Sequence, residues 1–167
     1  MLLSLAKIID CPGASVPFDE TLDFSGMEFG SQTPVTEPVH ASGTVRNTAG
    51  VMILTGEVRT RLHCVCDRCA KPFERDFSLP LRAVLTAKLE SEENEDEELF
   101  ELVGDSVDLD DVINTAFVLN MEQKFLCKED CKGLCPTCGA DLNEGPCGCR
   151  AEVDPRFAAL QQWLEKN

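Results

Sequence analysis

The sequence has 167 residues, of which 43% are hydrophobic, and this composition favours a folded chain over an intrinsically disordered one. The formal net charge of −15 argues against a nucleic-acid ligand, but 12 of the 30 acidic residues lie in residues 90–111, which contain no Lys or Arg. No run of about 18 apolar residues is present, so no transmembrane helix is predicted. Residues 59–88, with seven basic and three acidic side chains, carry a net charge of +4.

The N-terminal segment is expected to begin with a β-strand rather than a signal peptide. Residues 1–11 loosely resemble a lipoprotein signal, but Lys7 interrupts the apolar run and Asp10 stands where a small residue is needed before Cys11. A cytosolic location is therefore expected, and in that reducing compartment cysteine pairs are better explained as metal ligands than as disulfides. Pro and Gly interrupt the remainder of residues 1–38, which predicts short strands and loops.

Residues 39–89 show the alternation of apolar and polar side chains that is typical of β-strands. A first strand ends at a hairpin turn over residues 47–50, and a third strand follows the cysteine turn at residues 66–72. In the middle strand Val58 and Leu62 lie on one face, while Arg59 and Arg61 lie on the other. Three strands joined by tight turns predict an antiparallel meander with one buried face and one basic face.

The acidic segment that follows contains no apolar residue from 90 to 98, so a mobile loop is expected at about 90–101. It is interpreted as a solvated spacer, or alternatively as a mimic of a phosphate backbone that screens the basic face until RNA displaces it.

Asp108 is predicted to cap an amphipathic helix of about three turns, whose apolar stripe packs on the sheet. Asp154 and Pro155 predict the start of a final helix, with Trp163 on its apolar face.

These elements together predict an α+β fold. It consists of an antiparallel β meander, open or barrel-like, packed with one or two helices and followed by a small cysteine-rich module like a zinc ribbon. Residues 1–126 are assigned to the α+β domain, and residues 127–167 to the cysteine-rich module with the C-terminal helix.

Eight of the ten cysteines form four close pairs, enough for two tetrahedral metal sites. The pairs are Cys66 with Cys69, Cys127 with Cys131, Cys135 with Cys138, and Cys147 with Cys149. The preferred partition joins the first two pairs in one site and the last two in another, whereas the alternative is a single ion held by the two Cys-x-x-Cys pairs. Zinc is the expected ion and iron the alternative. A closed site of four thiolates leaves no position for water or substrate, which predicts a structural role.

The remaining cysteines, Cys11 and Cys64, are predicted to be buried free thiols. The chain has only two histidines, His40 and His63, no tyrosine and no phosphate-binding loop, so neither an enzyme nor a small-molecule substrate is expected. A thiol redox protein is kept as an alternative, because Cys-x-x-Cys pairs can exchange electrons, although the βαβ pattern of thioredoxin-like proteins is absent.

Several motifs between about residues 40 and 165 are found together. They are Cys66-Asp-Arg-Cys69 with Lys71-Pro-Phe73, the acidic gap, Val107-Asp-Leu-Asp, the run from Cys127 to Gly139 with Asn143, and Asp154-Pro-Arg156. In combination they resemble the YceD family, whose members are called large ribosomal RNA subunit accumulation proteins. The resemblance implies a cytosolic protein that is needed for accumulation of 23S rRNA and acts in large-subunit assembly.

The basic strand and the resemblance together suggest that zinc fixes a surface that binds phosphates of 23S rRNA or its precursor. The candidate contact residues are Arg59, Arg61, Arg68, Lys71 and Arg75. Phosphate contacts of this kind predict a steep dependence on salt. The alternative is an assembly chaperone that binds a large-subunit ribosomal protein through the ribbon and the final helix, without touching RNA.

Overall fold

A computed structural model describes residues 1–86 and 99–149 as seven strands and one helix. The elements are β1 (Leu2–Ser4), β2 (Ser15–Leu22), β3 (Val39–Thr48), β4 (Val51–Val65), β5 (Pro72–Thr86), β6 (Leu99–Glu101), β7 (Ser106–Asp108) and α1 (Leu109–Asn120). The predicted α+β class is confirmed, with strands dominating the described residues.

The strands form two sheets. The larger has the order β2-β3-β4-β5-β6, in which β5 and β6 are parallel and the other neighbours antiparallel, while β1 and β7 pair separately. The predicted meander is therefore confirmed as β3, β4 and β5. The barrel-like form is wrong, because closure requires the two edge strands to pair and β2 and β6 do not pair with each other.

The two faces of the meander have the predicted character. Val58 and Leu62 are fully buried, whereas Arg59 and Arg61 are exposed on the outer face. On the inner side, Gly43 and Gly56 stand opposite each other in β3 and β4 beneath the ring of Phe18. A Cβ atom added at Gly43 would lie 2.8 Å from Phe18 Cζ, so the missing side chains allow this aromatic ring to cover the sheet.

The predicted hairpin turn between β3 and β4 is also present, and it lies beside a buried polar side chain. Ala49 and Gly50 form a two-residue turn with φ angles of 54° and 95°, the left-handed values typical of a type I′ hairpin. Asn47 is fully buried; its Nδ2 donates to the carbonyls of Ile8 and Ile9 at 2.8 Å, and its Oδ1 accepts from the Gly50 amide at 2.8 Å. Asn47 thereby fixes the N-terminal segment to the sheet.

The helix α1 begins where the sequence predicts. The Asp108 carboxylate accepts a hydrogen bond from the Asp110 amide at 3.2 Å, as an N-cap. Farther along, the fully buried ring of Phe117 lies 5.0 Å from Phe24 and 5.3 Å from Phe77, measured between centroids, so the apolar stripe packs on the inner face as predicted. Nowhere in residues 1–86 and 99–149 is there a helix with the length and apolar character that a bilayer crossing requires.

The two cysteines outside the pairs differ from each other. Cys64 is buried as predicted, but the same prediction for Cys11 is wrong, because Cys11 lies exposed in the turns between β1 and β2. The predicted first strand is confirmed as β1. The final helix with Trp163 and most of the acidic loop fall outside the described residues, although the end of that loop, Leu99–Glu101, is strand β6. The domain boundary at residue 126 stays a prediction.

Candidate metal centres

Four cysteine sulfur atoms from two distant parts of the chain converge beside the sheet. Cys66 and Cys69 lie in the turn between β4 and β5, and Cys127 and Cys131 follow α1. All four Sγ atoms lie within 4.8 Å of one another, and the Cys66–Cys131 and Cys69–Cys127 distances are both 3.7 Å. We call this group the first centre; its members are those of the preferred partition.

A second centre lies within a short stretch of chain. It consists of Cys135, Cys138, Cys147 and Cys149, whose Sγ atoms also lie within 4.8 Å of one another. Its ligands come from adjacent turns, so it closes a local loop rather than joining distant elements. A single ion shared by the two Cys-x-x-Cys pairs does not match this geometry, because those pairs belong to different centres.

The spacing of the sulfur atoms tests whether the centres fit a metal ion. Four sulfurs held tetrahedrally at about 2.3 Å from zinc lie about 3.8 Å from one another. The 3.7 Å separations in the first centre match this value, whereas a disulfide would bring two sulfurs to about 2.05 Å. Both groups can therefore hold a metal ion, and four sulfur donors suit zinc or iron.

The two Cys-x-x-Cys turns share one backbone geometry. The Ala70 amide donates to the Cys66 carbonyl at 2.8 Å, and the Gly139 amide donates to the Cys135 carbonyl at 2.9 Å. The residue after the second cysteine has a left-handed φ in both turns, 56° at Ala70 and 72° at Gly139. Gly139 makes this conformation predictable from the sequence, because glycine adopts a positive φ readily. Ala70 does not, because alanine rarely adopts one.

Backbone amides favour a thiolate at the first position of each turn. Burial opposes ionisation of Cys66, but hydrogen bonds from backbone N–H groups, that of Cys127 foremost, bring the pKa of its thiol down to about 6. The N–H groups of Cys138 and Thr137 likewise lower the pKa of Cys135 to about 6. Each centre therefore contains one sulfur that ionises readily and is prepared to bind a cation.

One further sulfur in each centre, that of Cys127 or Cys149, resists ionisation while no cation is near. Burial, followed by the neighbouring thiols of the first centre, raises the pKa of Cys127 to about 12. In the second centre the Cys138 side chain, followed by burial, raises the pKa of Cys149 to about 12. Four crowded thiolates repel one another, and a divalent ion removes this repulsion, so both centres are electrostatically suited to a metal.

Two polar side chains outside the cysteines fix the first centre to the sheet. Gln32 donates to the Val65 carbonyl at 2.8 Å, accepts from the Val65 amide at 2.7 Å and also donates to Asp67 at 3.0 Å. Asp67 in turn makes two hydrogen bonds with the backbone of Phe125. The Asp67 amide donates to the Phe125 carbonyl at 2.8 Å, and the Asp67 carboxylate accepts from the Phe125 amide at 2.7 Å. Neither role was predicted: Gln32 belongs to no periodic pattern or ligand motif, and Asp67 lies within the Cys66–Cys69 motif at a position whose residue type the ligand spacing does not specify.

The five residues predicted to contact RNA are placed on the outer face and around the first centre, and four of them have a carboxylate partner. The pairs are Arg59 with Glu57, Arg61 with Asp76, Lys71 with Asp141 and Glu144, and Arg75 with Glu122. The fifth, Arg68, donates to the Cys131 carbonyl at 2.8 Å. The positive charge of the predicted basic face is thus largely neutralised within the chain.

The chain is similar in sequence to several known proteins. The sequence model of the family described as Large ribosomal RNA subunit accumulation protein YceD matches residues 54–164. An uncharacterized protein of Mycobacterium tuberculosis is 29% identical over 122 residues, which cover 72% of this chain and 59% of that protein. A Zea mays protein named Large ribosomal RNA subunit accumulation protein YCED homolog 1, chloroplastic, is 29% identical over 160 residues, 78% of this chain and 53% of that protein.

The chain thus spans less than two thirds of the length of these relatives, and no solved structure matches it significantly. The family match nevertheless extends over most of the chain and includes most of β4, all of β5 and α1, and all eight cysteines of the two centres. The resemblance seen in the motifs is therefore confirmed, and the chain belongs to the YceD family.

Proposed function

We propose that this protein supports the accumulation of large-subunit ribosomal RNA and takes part in assembly of that subunit. The observation that carries the proposal is the family match over residues 54–164, which contains most of β4, all of β5 and both cysteine centres. The proposed role is one of binding rather than catalysis, since closed centres of four thiolates offer no coordination position for a substrate. A cytosolic location is part of the same proposal.

Zinc is proposed as the ion in both centres, with a structural role. The first centre would tie the turn between β4 and β5 to the segment that follows α1, and the second would close the ribbon. Four sulfur donors at the observed spacing support this choice, because zinc accepts a tetrahedral thiolate environment without a preferred distortion.

Direct contact with rRNA phosphates is proposed for the outer face of β4. The Arg59 side chain is 71% exposed and that of Arg61 is 50% exposed, and both line a shallow groove with His40 and Thr60. Their carboxylate partners lie on the surface, where an ion pair contributes about 0–1 kcal/mol. The phosphates of an RNA can therefore replace those carboxylates as the partners of Arg59 and Arg61 at a small cost in free energy.

A second candidate is an assembly chaperone that binds a large-subunit ribosomal protein and does not touch RNA. The pairing of Arg59, Arg61, Lys71 and Arg75 with carboxylates favours it, as does the net charge of −15, which suits a basic protein partner. Affinity capture followed by RNase separates the two: partners that survive digestion support the chaperone, and partners lost on digestion support RNA contact.

The cellular test of the role itself is depletion of the protein. Large-subunit rRNA should fall relative to small-subunit rRNA, and an unchanged ratio would refute the proposed role.

For the contact surface, the double variant Arg59→Glu/Arg61→Glu should lose crosslinking to rRNA. The matched control is Arg46→Glu, on the same outer face and without an ion pair in the described part of the chain. Undiminished crosslinking of the double variant would reject the contact surface.

A further inference from the structure

The loop between the ligands of the second centre reaches the first centre. This loop, residues 139–146, joins Cys138 to Cys147, and Asn143 lies within it. The Nδ2 of Asn143 donates to the sulfur of Cys131 at 3.5 Å, and its Oδ1 accepts from the Lys132 amide at 2.9 Å. A ligand of the first centre is thus hydrogen-bonded by the segment that the second centre closes.

Asp141 connects the same loop to the first cysteine turn. Its Oδ1 accepts from the amide and from the Nδ2 of Asn143, at 2.8 and 2.7 Å, and its Oδ2 lies 2.7 Å from the ammonium group of Lys71. Only 11% of the Asp141 side chain is exposed. One shielded carboxylate therefore orients Asn143 towards Cys131 and anchors the loop beside Cys69 through Lys71.

Backbone hydrogen bonds hold the loop of the second centre close to the first cysteine turn. The Leu134 amide donates to the Arg68 carbonyl at 3.0 Å, and the Leu142 amide donates to the Gly133 carbonyl at 2.9 Å. Gly133 has a left-handed φ of 74°, and a Cβ atom there would lie 2.8 Å from the Arg68 carbonyl oxygen. A displacement of the loop would therefore be transmitted to the turn that carries two ligands of the first centre.

We infer that the two centres form one coupled unit, in which Asn143 is a positioning residue for Cys131 and metal binding at either centre strengthens binding at the other. The inference rests on the proposed metal binding. A hydrogen bond from an amide withdraws charge from a thiolate and fixes its direction, and loss of such an outer contact typically lowers metal affinity 10–100-fold. Coupling between two binding events is reciprocal, so each centre must benefit equally.

Zinc titration against a chelator of known affinity tests the coupling. Three forms are compared: the wild type with both centres, Cys147→Ser/Cys149→Ser with the first alone, and Cys66→Ser/Cys69→Ser with the second alone. If the centres are coupled, the overall constant for two ions in the wild type exceeds the product of the two single-centre constants by 10–100-fold. Equality of the two values would overturn the inference.

Asn143→Asp tests the positioning residue without removing a ligand. Asp keeps the oxygen that accepts from Lys132 but loses the donor to Cys131. The overall constant should fall 10–100-fold in this variant, with two ions still bound at saturation. Gln123→Glu, which adds the same charge at an exposed position, should leave it unchanged.

The second comparison does not depend on the double-serine variants, so it tests the role of Asn143 even if one of them does not fold, and the stepwise titration of the wild type still tests the coupling. Equal constants for Asn143→Asp and Gln123→Glu would overturn the assignment of Asn143. Two ions bound independently by the wild type would overturn the coupling alone, leaving metal binding intact. A wild type that binds no metal would overturn both the coupling and the proposed zinc centres.

Discussion

Replacement of Cys131 by Ser removes a buried ligand of the first centre and weakens the connection between the sheet and the segment after α1. Cys131 is 1% exposed, and few apolar groups of the described residues pack against this centre: beside the cysteines themselves they are the partly buried Phe73 and Leu126. Packing alone therefore holds this junction weakly. On the proposed metal binding, the metal link adds to the hydrogen bonds of Gln32 and Asp67 and supplies most of the stabilisation of this junction.

The size of that contribution follows from the loop that the link closes. The sulfurs of Cys69 and Cys127 belong to residues 58 positions apart in the chain. A cross-link closing a loop of that length lowers the conformational entropy of the unfolded chain by an amount worth about 4 kcal/mol. Chelation of the metal, or loss of the Cys131 ligand, is accordingly expected to lower the free energy of unfolding by up to about 4 kcal/mol.

Urea denaturation followed by far-ultraviolet circular dichroism, with and without a zinc chelator, measures this effect. Cys64→Ser is the matched control, because Cys64 is also buried, at 3% exposure, but belongs to neither centre. The chelator should shift the wild type and Cys64→Ser by similar amounts and Cys131→Ser by clearly less. A midpoint that does not respond to chelation, or an equal response in all three proteins, would refute the reasoning.

Three further changes test other parts of the structure. Asn47→Ala should lower the free energy of unfolding by about 2–3 kcal/mol in urea denaturation, since it leaves the Ile9 carbonyl and the Gly50 amide without their side-chain partner and removes one of the two hydrogen bonds to the buried Ile8 carbonyl; a loss below about 1 kcal/mol would contradict this. Ala49→Asn should raise it by up to about 1 kcal/mol, because Asn tolerates the left-handed φ of 54° better than Ala; a loss of stability would contradict the turn type. Glu57→Gln should increase rRNA affinity several-fold at low salt by releasing Arg59, and an unchanged affinity would exclude Arg59 from the contact surface.

Local patterns were sufficient to predict the elements that form the inner core. Alternation placed Val58 and Leu62 inside and Arg59 and Arg61 outside, because a buried sheet face allows only one register. Asp108 marked the start of α1 for an equally local reason, since a carboxylate satisfies free amides at a helix N-terminus. The four cysteine pairs likewise follow from short spacings; the second centre joins adjacent turns, and only the first required that distant turns meet.

The remainder depended on contacts that no local pattern encodes. Strand β6 adds to the sheet in parallel beyond the acidic segment, and Gln32 reaches the first cysteine turn from a loop. The ion pairs of the outer face are an intermediate case. Arg61 stands directly opposite Asp76 in the register of β4 and β5, which the length of the cysteine turn determines. Aligning the two strands about that turn would have shown that the basic face is also an acidic one.

The ion pairs change what salt dependence is expected of RNA binding. Five free cations that each neutralise a phosphate would give a slope of log K against log salt of about −4, because each contact releases about 0.7–0.9 counterion. A cation that leaves a carboxylate for a phosphate first breaks an ion pair that salt also weakens, so its net contribution to the slope is smaller. Four of the five candidates have such partners and Arg68 does not, so rRNA contact through this surface predicts a slope clearly shallower than −4. A slope near −4 in purified protein would show that other, unpaired cations bind the RNA.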